Sequence, residues 1–124
     1  MVKKNIPLET SVTKGILKYL KTVPFCRAEK RHGGAFGNSG KPDITGCICG
    51  MRFEFEVKRG PFGYPATDLQ KKELAEWDHV GAITAVVYSV DEVRAIIEVI
   101  QDSPLFAPAV IARNQTSFFT ERRL

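Results

Sequence analysis

The stretch from Pro42 to Arg59 limits the possible folds of this chain more than any other. From Arg52 onward it alternates strictly. Phe53, Phe55 and Val57 fall on one side of an extended backbone, and Glu54, Glu56 and Lys58 fall on the other, because strand side chains project with a period of two. The preceding segment, Asp43-Ile44-Thr45-Gly46-Cys47-Ile48-Cys49, reads as a second strand entered from Pro42, and Gly50-Met51 supplies a tight turn. Strands joined this closely pair as an antiparallel hairpin. Folding the hairpin brings Asp43 alongside Glu56, with Lys58 on the same face about 6–7 Å further along.

The remaining elements follow from periodicity and punctuation. Leu8, Val12, Ile16, Leu17 and Leu20 recur at helical spacing, with Glu9 in the first turn and Pro24 marking the exit. Phe25 to Arg31 reads as a strand and His32 to Lys41 as a glycine-rich loop. Residues 60–66 carry two prolines and two glycines and form a further loop. Thr67 caps a helix running through Leu69, Leu74 and Trp77, with Trp77 expected in the core. Ala82 to Tyr88 is apolar and β-branched, which predicts a buried strand. Asp91 is expected to cap a third helix with Val93, Ile96, Ile97 and Ile100 on its apolar face, and Pro104 and Pro108 end the pattern. Val110 to Leu124 reads either as a short strand or as a basic end. The order helix, three strands, helix, strand, helix predicts an α/β fold with a mixed sheet flanked by helices. The expected organisation is a single domain with a core over about 8–101 and a C-terminal extension over 102–124.

A chain of 124 residues with 44% hydrophobic content can bury one core. No apolar run reaches membrane-spanning length, and no apolar stretch follows the basic residues near Met1, so a cytoplasmic location is expected. Lysine and arginine number 18 against 14 acids, a balance that suits a polyanionic partner. The three cysteines are too few, and wrongly spaced, for a four-ligand zinc site, and their odd number argues against a disulfide framework. Cys47 and Cys49, two apart on a strand, are expected to share a face as small core residues.

Two carboxylates forced together repel unless a cation lies between them. Hard oxygen ligands favour Mg²⁺ or Mn²⁺, which hold waters and substrate phosphate as well as protein. Such a metal polarises a phosphoryl oxygen and lowers the pKa of bound water, while an adjacent ammonium stabilises negative charge as it develops. Asp43, Glu56 and Lys58 therefore supply the parts for phosphodiester hydrolysis.

Pro42-Asp43 followed by Glu56-Val57-Lys58 resembles the PD-(D/E)XK nuclease signature. The fuller pattern is Gly40-Lys41-Pro42-Asp43-Ile44-Thr45-Gly46, then Phe55-Glu56-Val57-Lys58-Arg59, then Thr67-Asp68-Leu69-Gln70. It is similar to the VRR-type (virus-type replication-repair) nuclease branch, over about two thirds of the chain. The resemblance implies a restriction-endonuclease-like core and divalent-metal cleavage of DNA. It further implies Asp43, Glu56, Glu9 and the Val57 carbonyl as metal ligands, Lys58 as the group that positions or activates water, and Gln70 as the group that orients water or a neighbouring ligand. Glu54 departs from the small or apolar residue usual at its place. It reads either as an extra ligand or as a solvated charge, the latter being favoured.

Each of these residues also has a plainer reading. Glu54, Glu56 and Lys58 also fit a solvated strand face, Glu9 is stabilised in a first helical turn by the macrodipole alone, and Gln70 fits an ordinary helix surface. Arg31, His32, Lys41, Arg59 and Lys71, together with Lys30 and Lys72, either neutralise DNA phosphates or are plain surface. Phe36, Phe62 and Tyr64 either stack on exposed bases or pin their own loops. Stand-alone members of the branch carry no separate DNA-binding domain. The leading expectation is thus a homodimeric, structure-selective endonuclease acting on branched DNA, of the Holliday-junction resolvase kind, since two symmetric cuts suit a twofold dimer. A flap or linear-duplex nuclease is one alternative. A DNA-binding module on a decayed nuclease fold is the non-enzymatic one.

Overall fold

A computed structural model describes residues 8–32, 40–60 and 65–103. The expectations for Phe36, Phe62, Tyr64 and the tail beyond 103 lie outside these residues. The elements are α1 (Glu9–Leu20), β1 (Cys26–Lys30), β2 (Ile44–Ile48), β3 (Met51–Val57), α2 (Asp68–His79), β4 (Ile83–Val87) and α3 (Val90–Gln101), in the order the sequence predicts.

The four strands form one sheet in the order β1-β2-β3-β4. β1, β2 and β3 run antiparallel as a meander, and α2 then carries the chain across to β4, which pairs parallel to β3. The apolar side of β3 packs with Ile44 and Ile48 of β2 against Val12, Ile16 and Leu20 of α1 and Val93 and Ile97 of α3. Phe53 and Phe55 stack with centroids 4.9 Å apart. Gly46 lies opposite Phe53. A Cβ there would sit 2.3 Å from the Phe53 ring and 2.4 Å from the Arg27 carbonyl oxygen, so only glycine lets that ring lie flat across the sheet. α2 packs against β3 and β4 on the other side of the sheet, where the Arg52 guanidinium lies 4.1 Å from the centroid of Trp77. Trp77 is thus half-buried beneath a cation rather than enclosed in the core. Leu69 is largely exposed, although Leu74 of the same helix is buried.

Four local expectations are corrected. The hairpin turn is Cys49-Gly50, both at positive φ (52° and 81°), and Met51 already belongs to β3. This left-handed pair matches the right-handed twist of the strands it joins. Cys49 therefore leaves the strand before alternation applies to it: Cys47 is exposed and Cys49 is buried. Among the described residues β4 is an edge strand of the sheet, and only Val87 in it is fully buried. Its apolar composition reflects helices on both faces rather than strands on both edges. The cap of α3 is Ser89, whose hydroxyl accepts from the Glu92 N–H, while Asp91 sits in the first turn paired with Arg94.

Candidate active site

The hairpin register pairs Ile44 with Phe55 and Thr45 with Glu54. One step further along, Asp43 stands opposite Glu56; a turn at Gly50-Met51 would have set it opposite Lys58 instead, so the observed turn at Cys49-Gly50 is what brings the two carboxylates together. The Asp43 Oδ2 accepts a hydrogen bond from the Val57 N–H at 2.8 Å. Val57 thus contributes its N–H to the site by holding Asp43.

Glu56 and Lys58 are both buried at the end of β3. The Lys58 Nζ lies 3.8 Å from the Glu56 Oε1, and the same oxygen accepts from the Gln70 Nε2 at 2.8 Å. Burial, the nearby Asp43 carboxylate and a hydrogen bond shared with it push the Glu56 carboxyl up to about 8, against the opposing pull of Lys58. The Glu56 Oε2 is enclosed and has no donor when both carboxyls are ionised. An orphaned buried carboxylate oxygen beside a second carboxylate is the environment that a hard divalent cation relieves. Asp43 and Glu56 therefore fit such an ion.

Gln70 reaches Glu56 because its other end is fixed. Its Oε1 accepts from the Thr67 N–H at 2.8 Å, and the Thr67 Oγ1 accepts from the Gln70 N–H at 3.2 Å, closing a capping box at the start of α2. The glycine before Pro-Asp has a related role. Gly40, at φ +75°, lets Leu69 approach so closely that a Cβ would lie 2.4 Å from the Leu69 Cγ. The loop entering β2 and the first turn of α2 are thereby packed together, and the adjacent Gln70 projects onto Glu56.

Glu54 is not a solvated charge. It is fully buried, with the Arg31 Nη1 2.5 Å from its Oε1. The Arg52 Nε and the Thr45 Oγ1 meet its Oε2. Sequence reasoning could not see this pairing, because it depends on β1 lying beside β2. Glu9, on the first turn of α1, is near enough to raise the Glu56 pKa slightly by charge. It lines a cavity with Leu8, Thr10 and Arg59. Among the described residues no group of three or more acidic, histidine or cysteine side chains is drawn together as a metal site; the two carboxylates that meet are those of Asp43 and Glu56.

Of the basic residues, Arg31 is committed to Glu54 and to the Pro42 carbonyl. Lys41 lies 3.8 Å from Glu73, and His32, Arg59 and Lys71 are exposed. No helix among the described residues is long and apolar enough to cross a membrane.

No family model and no curated protein matches the chain. Solved structures do match. One described as a "VRR_NUC domain" is 26% identical, with a TM-score of 0.60 over 73% of this chain and 94% of that one. Another, described as a "VRR_NUC domain protein", is 17% identical, with a TM-score of 0.58 over 76% of this chain and 88% of that one. The four-stranded mixed sheet with three helices is the fold they share with this chain.

Proposed function

With the chain taken as a VRR_NUC-type domain of the PD-(D/E)XK nuclease class, we propose that it is a divalent-metal-dependent, structure-selective DNA endonuclease that acts as a homodimer on branched DNA. The observation that carries this reading is the convergence of Asp43, Glu56 and Lys58, with Gln70 on the Glu56 carboxylate. Asp43 and Glu56 would hold Mg²⁺ or Mn²⁺, with Glu9 and the Val57 carbonyl as further ligands. The metal, when bound, polarises the scissile phosphate and acidifies a water.

The chain's own residues do the rest. The Val57 N–H and the Gln70 amide fix the directions of the two carboxylates. Lys58 presents an ammonium held in place by burial, where negative charge accumulates during attack. Arg59 and Lys71 on the surface, and Lys41 nearer the loop, supply positive charge along the phosphate backbone, and His32 is likewise exposed. A twofold dimer would present two such sites to a four-way junction.

The test is cleavage of four-way-junction, flap and linear-duplex DNA side by side, with and without Mg²⁺, together with light scattering of the free protein. Metal-dependent, paired incision of the junction by a dimer is expected, and Asp43→Ala or Glu56→Ala should abolish it in a folded protein. Cleavage only of flaps or duplex by a monomer would replace the junction reading. Binding with no cleavage of any substrate would reduce the protein to a DNA-binding module.

A further inference from the structure

We propose that Arg31 and Glu54 are positioning residues for Asp43, acting through the carbonyl of Pro42. The inference rests on the reading above that Asp43 and Glu56 hold a divalent cation.

The Arg31 Nη1 that pairs with Glu54 also donates to the Pro42 carbonyl at 3.0 Å. The Arg31 backbone N–H donates to the Asp43 carbonyl at 2.8 Å. One residue at the end of β1 thus grips two successive carbonyls of the Pro42-Asp43 unit, one with its side chain and one with its backbone. The proline ring already locks φ at Pro42, so ψ is its remaining soft dihedral, and a hydrogen bond to its carbonyl fixes that dihedral. Fixing it sets the direction in which the Asp43 side chain leaves the backbone, and the Val57 N–H receives the carboxylate at the far end.

Glu54 is the anchor of this arrangement. Its Oε2 is held by Thr45 and Arg52 independently of Arg31, so its Oε1 is a fixed point from which the guanidinium is oriented. A well-packed apolar residue would fill the same space without desolvating a carboxylate. What the buried charge adds is a fixed counter-charge: the nitrogen drawn to the Glu54 Oε1 is the same Nη1 that donates to the Pro42 carbonyl. Groups that orient metal ligands from behind alter metal affinity by about 10–100-fold when removed.

The experiment is a calorimetric titration of the full chain with Mn²⁺ alone, paired with thermal unfolding of the same samples. Arg31→Met and Glu54→Gln are each expected to weaken Mn²⁺ binding by about 10–100-fold while keeping a cooperative unfolding transition. Arg31→Lys, which keeps a donor, should recover part of that loss. Arg52→Met is the control. Arg52 touches Glu54, Thr45 and Trp77 but not Pro42, and Thr45 still holds the Glu54 Oε2 without it, so this variant should melt at a lower temperature and lose clearly less Mn²⁺ affinity than Arg31→Met or Glu54→Gln. Mn²⁺ affinity unchanged in Arg31→Met and Glu54→Gln would overturn the inference, and so would an equal loss in Arg52→Met. If Arg31→Met does not fold, the comparison of Glu54→Gln and Arg31→Lys with Arg52→Met decides the matter. No Mn²⁺ binding by the wild type would overturn the metal-site reading itself, and this inference with it.

Discussion

Metal binding at Asp43 and Glu56 should be strongly linked to protons. The Glu56 carboxyl, pushed up to about 8 by burial and by Asp43, is roughly nine-tenths protonated at pH 7 in the metal-free protein, whereas a coordinating carboxylate must be ionised. Each Mg²⁺ or Mn²⁺ bound should therefore displace about 0.9 proton at pH 7, about 0.5 at pH 8 and only about 0.1 at pH 9. Apparent affinity should rise about tenfold per pH unit below pH 8 and then level off. Stability runs the opposite way without metal. A carboxyl whose pKa rises from 4.5 to about 8 on folding stabilises the folded state fully below 4.5, and that contribution is lost as the pH rises through about 8. Added metal should reverse the loss. The assay is calorimetric titration in two buffers of different ionisation enthalpy, which counts protons directly, together with melting curves from pH 5 to 9. Glu56→Gln should remove both the proton release and this part of the pH-dependent stability. Metal binding at pH 7 with no net proton release, and an affinity flat from pH 6 to 8, would refute the account of Glu56 as a carboxyl kept neutral by burial and by Asp43.

Three further outcomes are expected. Lys58→Met should reduce single-turnover cleavage by about 10²–10³-fold with little change in DNA affinity measured in Ca²⁺; a loss confined to affinity would make Lys58 a phosphate contact only. Gly46→Ala should cost about 1–3 kcal/mol in denaturant unfolding, because the added methyl meets the Arg27 carbonyl as well as the Phe53 ring, and an unchanged midpoint would show that the strands part easily. Thr67→Ala should cost about 1 kcal/mol by removing the hydroxyl half of the capping box. Its activity should fall as well, because the strut from Thr67 through Gln70 to Glu56 loosens; full activity in a destabilised protein would separate capping from ligand orientation.

Much of this molecule is written locally. Alternation in β3, helical spacing in α1 and α3, and Thr67 before α2 each act within a few residues, so they were legible without a partner. The hairpin that joins Asp43 to the Glu56 strand was legible too, because it is a short-range structure, but its register depends on which two residues make the turn. The left-handed pair at Cys49-Gly50 moved the turn back by one residue from Gly50-Met51, which shifts the pairing by two: the expected turn sets Asp43 opposite Lys58, the observed one sets it opposite Glu56 and parts Cys49 from Cys47. Ser89 and Asp91 are both good capping residues, and the choice between them depended on where β4 releases the chain into α3.

Glu54 marks the limit of such reading. On its own strand it is one of three charged residues on one side, indistinguishable from a solvated face. Its burial depends on Arg31 from β1, Thr45 from β2 and Arg52 two residues away. Gln70 is similar: its capping partner lies three residues away, but its contact with Glu56 joins α2 to β3, beside the close approach of Leu69 to Gly40. Sequence patterns specify which groups point the same way along one element. The cost of burying a charge is met by partners on other elements, so it is their packing that makes Glu54 an enclosed anchor and Gln70 a strut.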